Sequence, residues 1–238
     1  MAASLHLARY SPHQAARMLG AMWRHRAAFE ATPGLAAARL CFAAELDTIT
    51  GGFPRLTQWG LLCAWETGDA RDEFFGDGRR LRPFLAGARE WWGVSLEAVR
   101  VVLGDGWHGW RPSTHGVAPL AADEPVVVMT YAVLRKRYLP TFTWNNRTVV
   151  RELAPNPSHV MRVGLADHPL ARATISVWRS QEAVARFAYG PGTHDPIQRH
   201  SREVPWGTEY FFARFRPLAA MGTWDGCEPV AVAAGHSR

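Results

Sequence analysis

Residues 59–75 read WGLLCAWETGDARDEFF, and residues 171–188 read ARATISVWRSQEAVARFA. Set one above the other, Trp65 falls on Trp178, Ala70 on Ala183 and Phe74 on Phe187. In both, a β-type run ending at tryptophan gives way to a helical stretch. Similarity at a fixed offset marks an internal repeat. It continues downstream: Pro83 pairs with Pro196, Arg89 and Glu90 with Arg202 and Glu203, Trp92 and Gly93 with Trp206 and Gly207, Arg100 with Arg214, and Trp110 with Trp224.

Upstream the two copies agree in pattern. The short β runs SLHLARYS and VVVMTYAVL each precede a helical stretch, about 12–30 and about 136–153, that closes at a proline turn. Next come AAARLCFAA and HVMRVGLAD, the paired tryptophan strands, a broken helix, and a long last strand, about 93–103 and about 207–217. Each half therefore reads β-α-β-β-α-β, the ferredoxin-like arrangement. Its antiparallel sheet carries both helices on one face and leaves the other uncovered. Two such halves in tandem cover each other's open faces, so the predicted fold is α+β: a duplicated ferredoxin-like repeat closing an α/β barrel within one chain. The stretch from about Gly104 to Asp123, rich in Gly, Pro and Trp, is the connection, and the expected division is a first repeat at 1–110, a linker at 111–124, a second repeat at 125–224 and a flexible tail at 225–238.

At 238 residues and 47% hydrophobic, the chain buries a full core. A net charge of +6 raises nucleic acid as a partner, but Lys136 is the only lysine and the arginines are scattered. With no basic run and no basic amphipathic helix in the pattern, nucleic-acid binding is set aside. Cys41, Cys63 and Cys227 are odd in number and far apart, as buried thiols of a reducing compartment are. No signal-peptide core and no apolar run of about 18 residues appears, so a cytoplasmic protein is expected, with peripheral attachment to a membrane as the alternative. The 11 tryptophans favour a deep aromatic pocket.

A repeat separates fold from chemistry, because a reactive residue present in one copy alone is not required by the shared fold. His194, which faces Leu81 in the pairing, passes this test, as do Tyr189, Arg199, His200 and Glu209. GPGTHDP, around His194, reads in one way as a loop entering a helix, with Pro196 in the first turn. In the other reading His194 gives an axial nitrogen to an iron porphyrin, which needs one protein ligand and an open opposite face. No GxGxxG after a strand, GxxxxGK[ST], GxSxG or HExxH is present, so nucleotide binding, serine hydrolysis and zincin chemistry have no motif to rest on. Glu203 and Glu209 are either an acid–base pair or salt-bridge partners of nearby arginines.

The stretch from Ala173 to Trp224, with Phe187-Ala188-Tyr189, His194, Arg202, Trp206, Glu209 and FFARF (211–215), resembles the spheroidene monooxygenase family. GLAAARLCFAAE followed by GGFPRLTQWGLLCAWE resembles it in the first half. The chain departs from the family pattern at Pro205 and Gly207. The resemblance implies a fold related to the dimeric α/β barrels, which include chlorite dismutases, dye-decolorising peroxidases and aldoxime dehydratases. It also implies a haem b cofactor (iron protoporphyrin), use of O2 and keto groups introduced into linear carotenoids. By position the proximal ligand would be His194. Arg162, Arg172 and Arg202 would pair the haem propionates, Trp178 and Tyr189 would line the haem site, and Arg214 or Arg199 would act on the O2 side, with Glu209 as a further catalytic candidate. Phe142, Trp144 and Phe211 would hold a small apolar substrate. Electrons would come from an external donor, a ferredoxin or a reductase. The alternatives are a haem-dependent dehydratase or isomerase, a non-catalytic carrier of haem or an apolar ligand, and a cofactorless oxygenase on the same barrel. Whether two barrels pair as a homodimer is left open by the sequence.

Overall fold

The computed structural model describes residues 2–44, 56–104, 106–190 and 204–235. Strand β1 (Ala2–Arg9) leads through helix α1 (Pro12–Glu30) to β2 (Leu35–Ala44) and β3 (Gln58–Trp65), then through α2 (Gly68–Asp77) and α3 (Arg82–Leu85) to β4 (Glu90–Leu103). The second half runs β5 (Val126–Leu134), α4 (Leu139–Leu153), β6 (His159–Ala166), β7 (Ala171–Trp178), α5 (Gln181–Tyr189) and β8 (Gly207–Gly222), followed by α6 (Pro229–Ala233). A 3-10 turn (Lys136–Tyr138) opens α4, where the sequence pattern predicts helix from the start.

The local causes of this order are legible. Ser11 and Gln14 form a capping box before Pro12, which starts α1. Thr67 caps α2 by accepting from the Ala70 amide at 3.2 Å, and Ser180 caps α5 by accepting from Ala183 at 3.1 Å. The alanines aligned between the two halves are thus the residues held by matching caps.

Eight strands close a barrel in the order β1-β3-β2-β6-β7-β5-β8-β4, each pair antiparallel. Within it the first half lies as 4-1-3-2 and the second as 8-5-7-6, the same order twice. Inward residues such as Leu5, Leu7, Val94, Leu96, Met129, Ile175, Phe211 and Phe215 form the core, with Trp107 and Trp110 packed against it. The voids among them are about 10 Å³ each, room for at most a water. Neither void has room for a ligand larger than water. Helices cover the outside of each half-sheet, so the strands are buried on both faces.

Register corrects several of the pairings read from sequence: Glu90, Trp92 and Gly93 match Glu209, Phe211 and Phe212 rather than Glu203, Trp206 and Gly207. Arg100 and Arg214 are not equivalent; they lie directly across from each other on β4 and β8. The strand position matching Arg214 is Ser95, since Ser4 faces Ser95 in the first half and Val128 faces Arg214 in the second. Similarly, the turns Trp107-His108-Gly109-Trp110 and Trp224-Asp225-Gly226-Cys227 are each closed by one bridge, with His108 and Asp225 both at positive φ (48° and 55°). Trp224 therefore corresponds to Trp107, not Trp110. The tail carries a short helix over the described residues. Glu228 caps α6 and accepts from Trp92 Nε1 at 2.8 Å, Arg179 donates to the Val232 carbonyl at 2.6 Å, and Ala233 is buried. The connection 111–124 is fastened by Arg216, which donates to Glu97 (2.5 Å), Glu124 (2.6 Å) and the Ala118 carbonyl (3.1 Å).

At one rim of the barrel Asp167 sits 3.3 Å from His108 Nε2 and 3.5 Å from Arg39 Nε. The hydrogen bond from His108, partly opposed by burial, holds its carboxyl below the ordinary value of 3.8. A depressed carboxylate pKa stabilises the fold above the unfolded value and loses that contribution as pH falls through the folded one. Asp167→Asn should therefore cost about 1–3 kcal/mol at neutral pH, the range for a hydrogen bond to a charged group. Urea unfolding of the two proteins should converge as the pH drops below 3.8.

Candidate cofactor and substrate cleft

The two halves treat the layer between helices and sheet differently. In the first half, outward Ser4, His6, Trp59, Leu61, Cys63, Trp65 and Ser95 are all buried, packed with Ala15, Met18, Phe74, Leu81 and Phe84 of the covering helices. His6 is held neutral there, burial pushing its pKa down to about 3, and burial likewise pushes the Cys63 thiol up. In the second half, Val126 and Trp178 stand opposite each other as Ala2 and Trp65 do, so Thr130 replaces His6, Arg172 replaces Trp59, Thr174 replaces Leu61 and Ser176 replaces Cys63. Smaller hydroxyl side chains stand where the first half has bulk, and the layer is hollow.

The hollow is a cleft of about 250 Å³. Its floor is the outward face of the sheet: Val128, Thr130 and Ala132 of β5, Arg172, Thr174, Ser176 and Trp178 of β7, Phe212 and Arg214 of β8, and Val102 of β4. Its roof comes from α4, whose Phe142, Asn145, Asn146, Val149, Val150 and Leu153 recur at the spacing of one helix face, and from Val184, Phe187, Ala188 and Tyr189 of α5. Trp206 closes one side. Trp178 is fixed by a 2.9 Å hydrogen bond from its Nε1 to Ser176 Oγ.

The cleft combines apolar walls with donors. Arg214 is only 4% exposed, and no described carboxylate pairs with it. Burial pushes its pKa down; Tyr189 opposes that shift, and Arg100 across the strand pair adds to it. Burial lowers the Arg172 pKa too, although one of its nitrogens donates to the Ala171 carbonyl at 2.7 Å. The side-chain nitrogen of Asn146 is buried without a partner, as is Nε of Arg162, which lies across from Ser176 on β6. Beside it, burial pushes the His159 pKa down to about 4, with the Arg162 charge adding to the shift and a backbone hydrogen bond opposing it. A buried arginine without a described carboxylate, with unpartnered guanidinium and amide nitrogens nearby, suits an apolar molecule bearing acidic groups.

No family profile matches the chain. A spheroidene monooxygenase of Rhodobacter capsulatus is 30% identical over 182 residues, which are 75% of this chain and 74% of that protein. One from Rubrivivax gelatinosus is 31% identical over 201 residues, 82% of this chain and 75% of its own. The chain belongs to the spheroidene monooxygenase family. In fold, it is similar to an aldoxime dehydratase in complex with butyraldoxime, at a TM-score of 0.62, 12% identity and coverage of 99% of this chain and 84% of that one. A second aldoxime dehydratase structure gives a TM-score of 0.59 at 14% identity, over 96% of this chain and 85% of that one.

For a spheroidene monooxygenase relative, the sequence-derived candidates divide sharply. Arg214, Trp178, Tyr189 and Phe142 meet in the cleft, and Arg162 lies beside it. Three candidates lie outside the cleft. Phe211 alternates with the cleft residues Phe212 and Arg214 along β8, so it points into the barrel core. Glu209 shares that inward parity, but at the rim, where it is exposed and its charge helps, after burial and Asp167, to raise the Tyr131 pKa to about 12. Trp144 is 70% exposed on the outer side of α4. His194, Arg199, His200 and Arg202 lie outside the described residues. Thr130, Thr174, Ser176 and Asn146 were missed, although the alternation in ARATISVW already puts Arg172, Thr174 and Ser176 on one face.

No helix of the described residues is long and apolar enough to cross a membrane.

Proposed function

We propose that this chain is a haem-dependent monooxygenase acting on a small apolar molecule of carotenoid type, and that the cleft of its second half holds both haem and substrate. The observation that carries the reading is the unfilled helix–sheet layer with Arg214 buried and carboxylate-free in its floor. The barrel is read as a tandem duplication in which the first copy kept a solid core and the second gave up its filling for a ligand.

His194 would hold the haem iron. Its sequence counterpart Leu81 is 2% exposed within the packed layer of the first half, the layer that corresponds to the cleft. The segment carrying His194 connects Tyr189 to Trp206, and both of these line the cleft. Arg172 and Arg162 would hold the acidic edge of the cofactor as planar donors, together with Arg202. When bound, the haem supplies the activation of O2 needed for oxidation at an apolar C–H bond.

The chain's own side chains bind, orient and exclude water. Phe142, Val149 and Leu153 shield an apolar substrate, and Thr130 and Thr174 give the floor hydroxyls that either donate or accept. Arg214, fixed in the floor with no carboxylate to neutralise it, stabilises negative charge developing beside it. One oxygen atom would enter the substrate and the other leave as water, with two electrons from a separate donor, a ferredoxin or a reductase, and two protons from solvent.

The test is the absorption spectrum of protein produced with added haem, wild type beside His194→Ala. A Soret band in the wild type that the substitution removes or shifts is expected. A colourless wild type that also takes up no added haem would overturn the cofactor assignment. Turnover under O2 but not under nitrogen distinguishes the oxygenase from a dehydratase or isomerase.

A further inference from the structure

Helix α1 covers the packed half of the barrel and takes no part in the cleft, yet its outer face is unusual. Trp23 is 76% exposed and Leu19, one turn before it, is 39% exposed. With exposed Ala16 and Ala27 they form an apolar stripe along the helix. Arginines flank it. Arg17 and Arg24 on α1, and Arg80 and Arg82 on the adjoining turn and α3, make no ion pair with a described residue. Only Arg26, held by Glu30 at 2.8 Å, and Arg79, held by Asp77 at 2.6 Å, are neutralised. Arg79, Arg80 and Arg82 line a groove with Ala21, His25 and Ala28 on the flank of α1 that faces α3, and Arg17 and Arg24 lie on the helix between that groove and the apolar stripe. In sequence these arginines look scattered; it is the fold that gathers them.

We propose that this face of α1 docks the protein on an anionic lipid bilayer. Tryptophan and leucine amid arginines are the side chains that settle at the boundary of headgroups and acyl chains, with the cations reaching lipid phosphates. A second copy of the chain meets the face poorly, because a twofold contact would set four uncompensated arginines against the same four. Nucleic acid offers phosphates but leaves Leu19 and the alanines nothing apolar to cover. The proposal deepens the functional reading above, since a carotenoid-type substrate dissolves in membranes, but its test does not depend on that reading.

The experiment is co-sedimentation with vesicles of phosphatidylcholine alone and of phosphatidylcholine mixed with phosphatidylglycerol. Binding to the mixed vesicles only is expected, weakening with salt. Arg24→Ala and Arg80→Ala should each lower partitioning roughly fivefold, the equivalent of about 1 kcal/mol per basic residue near an anionic surface. Trp23→Ala should abolish most of the binding while leaving the melting temperature and any haem spectrum unchanged. Trp144→Ala is the comparison, because Trp144 is equally prominent but its helix neighbours Thr141, Arg147 and Thr148 are polar. Loss on Trp23→Ala and retention on Trp144→Ala supports the assignment. Equal loss in both, binding that ignores phosphatidylglycerol, or no binding by the wild type overturns it. Self-association seen by gel filtration and removed by Trp23→Ala would replace the bilayer with a second copy.

Discussion

Thr130→Leu combined with Thr174→Leu should yield a folded protein that no longer takes up haem. The first half of the chain is the precedent. There Leu61 occupies the position of Thr174 and His6 that of Thr130, and the layer is solid, with both residues no more than 1% exposed. Leucine restores the bulk without adding a buried ring nitrogen like His6 Nδ1, which has no partner. Each leucine brought out of water in the ligand-free protein contributes about 1.5–3 kcal/mol if it packs without strain. Thermal unfolding should therefore show no loss of stability and an increase when both side chains fit. Haem titration followed at the Soret band should show affinity lowered by at least about a hundredfold, since a filled slot excludes the ligand outright. The control is Thr174→Val, which keeps the shape and should retain binding. A double variant that binds haem like the wild type would place the cofactor elsewhere.

The same asymmetry explains what the sequence made legible. The repeat was readable because the residues that hold the shared fold are chemically distinctive: Trp65 and Trp178 under their helices, and Ala70 and Ala183 at matching N-caps. Alternation along ARATISVW was enough to set Arg172, Thr174 and Ser176 on one face. Direction along β8 was harder, because Gly207–Gly222 carries aromatic side chains on both faces: Phe211 and Phe215 belong to the barrel core, while Tyr210 and Phe212 point outward. Aromatic content therefore could not assign Phe211 to a pocket. Trp144 misled for a similar reason, since on α4 the cleft face is the one carried by Phe142, Asn145, Asn146 and Val149. Pairing Arg100 with Arg214 failed because the second copy carries more residues between its helix and its last strand: the offset is 113 at Ala70 and Ala183 but 119 at Ser95 and Arg214, and the linear pairing held it at 114. The hollow itself could be read only by comparing each outward position of one half with its strand equivalent in the other.

Arg214→Met should make the ligand-free protein more stable and the enzyme slower. A guanidinium that is 4% exposed, faces Arg100 across the strand pair and has no described carboxylate partner is held at a desolvation cost that nothing in the empty cleft offsets. Methionine fills similar volume without charge, so a gain of about 1–4 kcal/mol in unfolding free energy is expected, the range seen when buried charges give way to packed apolar groups. Turnover should fall about 10²-fold or more, as when a single preorganised donor to developing negative charge is removed, while the Soret band persists. Arg172→Met should behave in the opposite sense. Its loss should weaken binding of haem by roughly tenfold to a hundredfold, the worth of a charge-assisted hydrogen bond, and leave binding of haem dimethyl ester, which has no acid groups, unchanged. If Arg214→Met destabilises the empty protein instead, the guanidinium is serving the fold, and the cleft's negative partner must be sought at Arg172 alone. A residue whose removal improves stability and impairs turnover is retained for what it binds, and Arg214 is the residue in this chain where those two effects are expected to diverge most.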